Sequence, residues 1–319
     1  MNLYDITPEA LSNLVAQLQS NPDYRVLTRL QLRDHFAEKT SASVVQTGLI
    51  LDTETTGMEP TDKIIELGMI SFEFDAVTGQ VYQVLERFNE LEDPAMPIPA
   101  TATKVNGITD DMVKGRRIND DEVNRIVAKV DLVIAHNSGF DRPYVEARWP
   151  IFAQKAWACS LKQIDWAGEN MGSSKLDYIA SLMGFFYDAH RAINDCEALL
   201  RVLSEPLPVT GKTGLQWLIA AAPQIDVNLA AIGSPFSTKD ALANRRVELP
   251  DGSKRRYLWD GREGAKYWHI DLPEERVPAE VEWLKANIYS GKSFTTSVAT
   301  VDALTRFSKR TVERERHNH

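Results

Sequence analysis

The segment from 48 to 57, GLILDTETTG, constrains this chain more than any other stretch. An apolar, β-branched run ends in Asp52, skips one residue, reaches Glu54 and closes on Thr55, Thr56 and Gly57. Alternate residues of a strand project to the same side. Asp52 and Glu54 therefore share a face at the carboxyl end of a strand, where α/β sheets usually build their sites. Two adjacent carboxylates repel and raise each other's pKa unless a cation intervenes. Oxygen donors of this kind suit a hard divalent ion, Mg²⁺ or Mn²⁺. A solvated strand end can also read Asp-x-Glu, so the pair takes its meaning from the rest of the chain.

That rest reads as a mixed α/β protein. Residues 1 to about 43 read as helical, with a helix start at Pro8. VVQTGLILD, KIIELGMISFEF and GQVYQVLERFNEL come next as three consecutive strands, antiparallel in part because the gaps are short. A proline-marked loop leads to the helix NDDEVNRIVAKV, the short buried strand DLVIAHN and the helix FDRPYVEARW with Pro143 in its opening turn. KLDYIASLMG and NDCEALLRVLSE are two more helices. Pro206 and Pro208 mark a boundary, beyond which lie a helix at GLQWLIAAAP, a break at IGSPF and a final helix at AEVEWLKANIY. Between the last two, the turn signals at 250–252 and 260–264 predict a small β-meander. The domains expected are 1–43, a helical extension; 44–206, the α/β core; and 207–319, a small α+β module.

Composition narrows the class. The chain has 319 residues and a formal net charge of −9, so any contact with nucleic acid must come from local basic patches. Its two cysteines, Cys159 and Cys196, show no CxxC spacing, which argues against a disulfide framework or a structural zinc site. No basic-then-apolar leader opens the sequence, and no run approaches 18 apolar residues. The expectation is a cytoplasmic protein with no membrane association.

Two further carboxylates repeat the strand-end pattern. DLVIAHNSGFD carries a buried strand through Asn137 to Asp141 at a helix start, where a lone Asp is commonly just a cap. In HRAINDCEALL, His190 precedes Asp195 by five residues. Asn194 and Glu197 have the spacing of a capping pair, which starts the helix near Asn194 and leaves His190 in the preceding loop. Each position alone has an ordinary structural reading. Together, Asp-x-Glu, then Asp, then His-x4-Asp resemble the DEDDh group of DnaQ-like 3′–5′ exonucleases over about residues 46–204. DTETTG resembles the first motif of that group, AHNSGFD the second and HRAINDC the third. KVNGITDDMV resembles the intervening segment, with Asn106 where histidine is common, and SSKLDYIA resembles the helix before the third motif.

The resemblance implies a ribonuclease H-like mixed sheet flanked by helices. It implies that Asp52, Glu54, Asp141 and Asp195 hold two divalent cations, Mg²⁺ or Mn²⁺, with His190 as general base. It places Thr55, Thr56, Asn106 and Asn137 beside the terminal nucleotide. Turn chemistry is the alternative for the two threonines. The activity implied is metal-dependent release of nucleoside 5′-monophosphates from DNA 3′ ends, single-stranded DNA being the expected partner. The alternatives are RNA 3′-end trimming and a proofreading subunit bound to a DNA polymerase.

The flanks are less specific. Basic and aromatic residues interleave from 245 to 268 (Arg245, Arg246, Lys254, Arg255, Arg256, Tyr257, Trp259, Arg262, Lys266, Tyr267, Trp268), a pattern that suits single strands. Glu248, Asp251, Asp260 and Glu263 dilute it, so a small β domain with an aromatic core of its own is the competing reading. The segment resembles, in part, a module appended to some bacterial DnaQ-like exonucleases. QLRDHF, 31–36, reads as an ordinary helix face.

Overall fold

The computed structural model describes residues 7–249, 254–261, 265–310 and 312–319. Strands are numbered β1 (Thr28–Arg29), β2 (Val45–Thr55), β3 (Ile64–Asp75), β4 (Val81–Leu91), β5 (Leu132–Ala135), β6 (Ala156–Cys159) and β7 (Phe185–Phe186), continuing with β8 (Asp226–Ile232), β9 (Arg246–Glu248), β10 (Lys254–Arg256), β11 (Leu258–Asp260), β12 (Tyr267–Leu272), β13 (Thr295–Val301) and β14 (Glu315–Asn318). Helices of seven residues or more are α1 (Pro8–Ser20), α2 (Ala100–Asn106), α3 (Asp120–Ala128), α4 (Ser138–Arg148), α5 (Leu176–Leu182), α6 (Ala192–Ser204), α7 (Gly214–Ala221) and α8 (Val277–Asn287). They form two compact units, Met1–Asn137 with Cys159–Trp217, and Ser138–Ala158 with Leu218–His319.

The first unit is built on a mixed sheet in which β4, β3, β2 and β5 are neighbours in that order. β2, β3 and β4 pair antiparallel, as the short connections predict, and β5 runs parallel to β2. A single side chain tightens the β3–β4 turn. The Asp75 carboxylate accepts from the backbone N–H of Val77 and Thr78, from Val44 N and from the Tyr82 hydroxyl, all at 2.9–3.0 Å. The Thr78 amide leads in holding its pKa down to about 2.

Strand register sets the composition of one sheet face. Asp52 lies opposite Gly68 and Glu54 opposite Glu66, with a register shift just beyond Glu54. Directly opposed residues share a face, so this face carries three carboxylates and one position with no side chain. The gap is filled by α6. A Cβ on Gly68 would lie 2.5 Å from the backbone of Ala192 and Ile193, so the first turn of α6 rests on the sheet. The Cys196 thiol reaches the Gly68 carbonyl at 3.4 Å.

Two expectations are corrected by these elements. The extension is helical only over α1, which Thr7 caps through Ala10 N at 3.2 Å. Pro22 disfavours helical geometry at Asn21, and the chain then runs extended: β1 pairs parallel with β7, and His35 bridges Gln83. QLRDHF is therefore not a helix face. Secondly, α6 begins at Ala192 rather than near Asn194. Glu197 takes Arg87 and Asn194 reaches the Asp188 carbonyl, so neither forms the expected cap.

In the second unit, sheet order β11-β12-β8-β13-β14 is antiparallel throughout. β8, DVNLAAI, is a central strand that the sequence reading leaves unassigned. The module is thus a five-stranded sheet with a separate β9–β10 hairpin, larger than a meander. Leu229, Ile270, Leu272, Tyr257 and Leu284 of α8 form its core, with Trp268 and Trp283 packed against it. The predicted turns at 250–252 and 260–264 fall mostly outside the described residues, as does Arg262. Helix α4 belongs to this unit and starts at Ser138, which puts Pro143 in its second turn.

Candidate metal centre

Asp52 and Glu54, two residues apart at the end of β2, meet Asp195 from the first turn of α6. One carboxylate oxygen from each lies within 4.8 Å of the other two. Among the described residues this is the one cluster of three or more such groups. Three hard oxygen donors at this spacing fit a divalent cation of the Mg²⁺ or Mn²⁺ kind. Asp195 is held in place by three donors: the Tyr187 hydroxyl at 2.9 Å, His190 N at 2.8 Å and Arg191 N at 3.2 Å. Burial pushes its carboxyl above the usual range, and those donors oppose the shift.

His190 occupies the loop ahead of α6, as expected. Its backbone is left-handed, φ +63°, a conformation that costs an ordinary residue about 1–2 kcal/mol. Two carboxylates hold it there. Asp195 receives the N–H groups of His190 and Arg191, and Glu66 receives the next one, Ala192 N, at 3.1 Å. Glu66 also takes the Arg191 guanidinium at 2.8 and 3.1 Å and the Asn89 amide at 3.2 Å. Placing carboxylates on the open N–H groups of a helix start satisfies both the orphan donors and the macrodipole.

Glu66 is the residue that the sequence reading missed. It is fully buried inside β3, directly opposite Glu54. A glutamate within the apolar run KIIELGMI was the available signal, because a buried carboxylate needs a partner. Its partner Arg191 is raised above its ordinary pKa, chiefly by Glu66, with Glu54 adding to the effect.

Of the other expected residues, Asp141 sits on α4 in the second unit, 2% exposed, and is not one of the three clustered carboxylates. The Thr55 hydroxyl donates to the Gly57 carbonyl at 2.5 Å, and the Thr56 hydroxyl to Asp62 at 2.8 Å while accepting from Lys63 N at 3.0 Å. Both threonines are thereby engaged in the turn after β2. Asn106 ends α2 and accepts from Ile108 N at 3.0 Å. Asn137 is exposed beyond β5. Its neighbour His136 sets Nε2 2.8 Å from the Ser174 carbonyl and Nδ1 2.8 Å from the Ser160 hydroxyl. The carbonyl only accepts, so Nε2 carries the proton. Burial pulls the pKa of His136 down to about 4, so the ring is neutral at pH 7.

A half-buried sheet end that gathers three carboxylates, with a histidine in the adjoining loop, is equipped to hold a divalent metal of the kind that serves phosphoryl chemistry. Residues 49–203, just under half of the chain, match the RNase_T family model, described as exonuclease. It is 28% identical to the DNA polymerase III subunit epsilon of Treponema pallidum, over 48% of this chain and 73% of that protein. It is 24% identical to the PolC-type DNA polymerase III of Thermotoga petrophila, over 53% of this chain and 12% of that protein. The chain thus spans about an eighth of the length of the first curated relatives it matches. A solved structure of exonuclease X in complex with 5′ overhanging duplex DNA superposes at a TM-score of 0.37 with 22% identity, covering 53% of this chain and 99% of that one.

Proposed function

We propose that this protein is a metal-dependent 3′–5′ exonuclease that releases nucleoside 5′-monophosphates from DNA ends. The observation that carries this reading is the meeting of Asp52, Glu54 and Asp195 in an exonuclease-family domain, with His190 one turn away. Asp52, Glu54 and Asp195 hold divalent metal, and Asp141 completes the set on the strength of the sequence pattern. Bound in pairs, such ions neutralise charge on the attacking and leaving oxygens of a phosphodiester. His190 takes a proton from the attacking water, whose oxygen joins phosphorus as the bond to the 3′ oxygen of the preceding nucleotide breaks. That oxygen is then protonated and becomes the new 3′ end. Glu66 and Asp195 hold the His190 backbone so that its exposed ring faces incoming substrate. The exposed Asn137 side chain and the backbone around Thr55, Thr56 and Asn106 line the terminal nucleotide.

DNA is favoured over RNA because the Treponema and Thermotoga relatives are DNA polymerase III proteins. The same relatives support a second reading, that the protein works beside a DNA polymerase. The test is shortening of 5′-labelled DNA and RNA oligomers with Mg²⁺, Mn²⁺ or EDTA, beside an Asp52→Ala, Glu54→Ala double variant. Metal-dependent loss of single nucleotides from the 3′ end, absent in the variant, is the expected result. Inactivity of the folded protein with both metals on both polymers rejects the enzyme. Co-purification with a polymerase then decides the second reading.

A further inference from the structure

The residue after Asp141 is a fully buried arginine. Arg142 is 0% exposed, and its guanidinium sits in a socket of backbone carbonyls from 303–306. One Nη1 hydrogen points to Arg306 O at 2.5 Å and another to Ala303 O at 3.4 Å, while Nη2 donates to Leu304 O at 2.5 Å. Nε donates to Glu146, one turn along α4, at 2.7 Å. The guanidinium also lies 5.1 Å from the Trp157 ring, whose backbone N–H donates to the same Ala303 carbonyl at 2.8 Å.

The socket is itself braced. Asp302 accepts from Leu304 N, Thr305 N and the Thr305 hydroxyl at 2.8–2.9 Å, which shapes the turn. Arg306 ties it to the start of β8 through the Gln224 carbonyl at 2.6 Å and Asp226 at 3.4 Å. From the far side, the Ser308 hydroxyl donates to Glu146 at 2.6 Å and Arg310 lies 3.5 Å from the same carboxylate. A buried guanidinium is costly unless its donors are met, and its planar fork accepts only one arrangement of partners. Such a contact fixes the rotation and depth of α4, where an apolar side chain would tolerate sliding.

We propose that Arg142 is a positioning residue through which the segment 302–310 sets Asp141 for metal binding. This rests on the reading of Asp141 as a ligand. It assigns the C-terminal segment a task that its sequence does not announce.

The test uses the full chain and two readouts, the Mn²⁺ concentration that half-saturates nuclease activity and the rise in melting temperature produced by Mn²⁺ without substrate. Asp141→Asn serves as the reference. Arg142→Lys keeps the charge and loses the fork, and is expected to raise the half-saturating Mn²⁺ on the order of 10–100-fold, the usual cost of removing a group that orients a ligand. Activity at saturating Mn²⁺ is expected to return to within about threefold of wild type, by the same principle. The milder Ser308→Ala, Arg310→Ala double variant leaves the socket filled, so it tests the idea even where Arg142→Lys does not fold. Its half-saturating Mn²⁺ is expected to rise roughly 3–10-fold. A fall in melting temperature with an unchanged Mn²⁺ requirement and unchanged Mn²⁺ stabilisation would show that the clasp is structural only, and would overturn the inference. A wild type that hydrolyses nothing, yet is stabilised by Mn²⁺ in an Arg142-dependent way, would instead overturn the exonuclease reading and leave this one standing.

Discussion

Each unit contains a buried ion pair beside one of the acidic motifs, and the two pairs are of opposite construction. At Glu66 the anion is fully buried, while the Arg191 side chain keeps 36% of its surface in water. At Arg142 the cation is the one fully buried, and Glu146 is 7% exposed. The donors to Glu66 include Ala192 N and the Arg191 side chain, immediately after His190, so that pair fixes a short stretch of loop backbone. The acceptors around Arg142 come from a turn more than 160 residues away, so that pair fixes a whole helix. A loop anchored by local donors can rearrange when one is lost. A helix clasped by carbonyls loses more, because the Arg306 carbonyl gives up its guanidinium donor while those of Ala303 and Leu304 keep only Trp157 N and Arg310. The difference teaches that the loop should be sensitive in rate and the helix in metal affinity.

Charge divides the same way. By sequence the first unit carries 17 Lys and Arg against 29 Asp and Glu, the second 19 against 16. Cations are thus scarce in the unit that gathers the three carboxylates, and Arg191 is spent on Glu66.

The largest effect expected is at Asp195. Asp195→Asn keeps an oxygen to accept from His190 N and Arg191 N but removes the charge. Activity should fall on the order of 1,000-fold, since a metal's charge stabilisation is worth several kcal/mol and each 1.36 kcal/mol is tenfold. Melting temperature should change little. A variant that unfolds instead would show that Asp195 serves the turn more than the metal.

Glu66→Gln comes next and tests the comparison directly. It retains hydrogen bonding to Ala192 N but drops the charge that holds Arg191. The expected result is a kcat lower by roughly 10–100-fold with the Mn²⁺ requirement within about threefold of wild type, as for a group that orients the residue beside it. If the Mn²⁺ requirement rises as it does for the Arg142 variants, the two fasteners do the same work and the contrast collapses. Smaller again is Gly68→Ala, which forces a methyl against the α6 backbone 2.5 Å away. Overpacking of this kind costs about 1–3 kcal/mol, read as a lower denaturation midpoint, with kcat reduced because His190 moves with α6.

The sequence discloses the near partners and conceals the far ones. Asp52 and Glu54 are legible because a period of two puts both on one face, and the antiparallel β2–β4 meander because its connections are short. His190 and Asp195 are legible as a loop and a first turn. Glu66 and Arg191 lie 125 residues apart, and Arg142 and its carbonyls more than 160, so no local periodicity links them. β8 escaped notice because DVNLAAI is short and polar at its start, and its assignment depends on β12 and β13 pairing from both sides. The start of α6 was misplaced for the same reason. Its first N–H is capped by Glu66 from another strand, not by a residue in its own sequence.

The smallest predicted effect separates the units by acid. His136 at the end of β5 has its pKa pulled from an ordinary 6.5 down to about 4 by burial. The unfolded chain therefore binds a proton that the folded one refuses between those values, and stability falls as pH drops from 6.5 toward 4. Asp75 acts later. Its carboxyl is held down to about 2, so its contribution is intact above 3.8 and lost only as pH falls below that. Both groups belong to the first unit, whereas the Arg142 guanidinium stays charged throughout this range. Hydrogen exchange at pH 7 and pH 5 should therefore show the amides of β5 opening more readily at pH 5, and those of α4 changing less once the intrinsic pH dependence of exchange is removed. In His136→Gln, which cannot titrate, the change at β5 should shrink. An equal loss of protection in α4 and β5 in the wild type would mean that the two units open together, and that their fasteners cannot be told apart by stability.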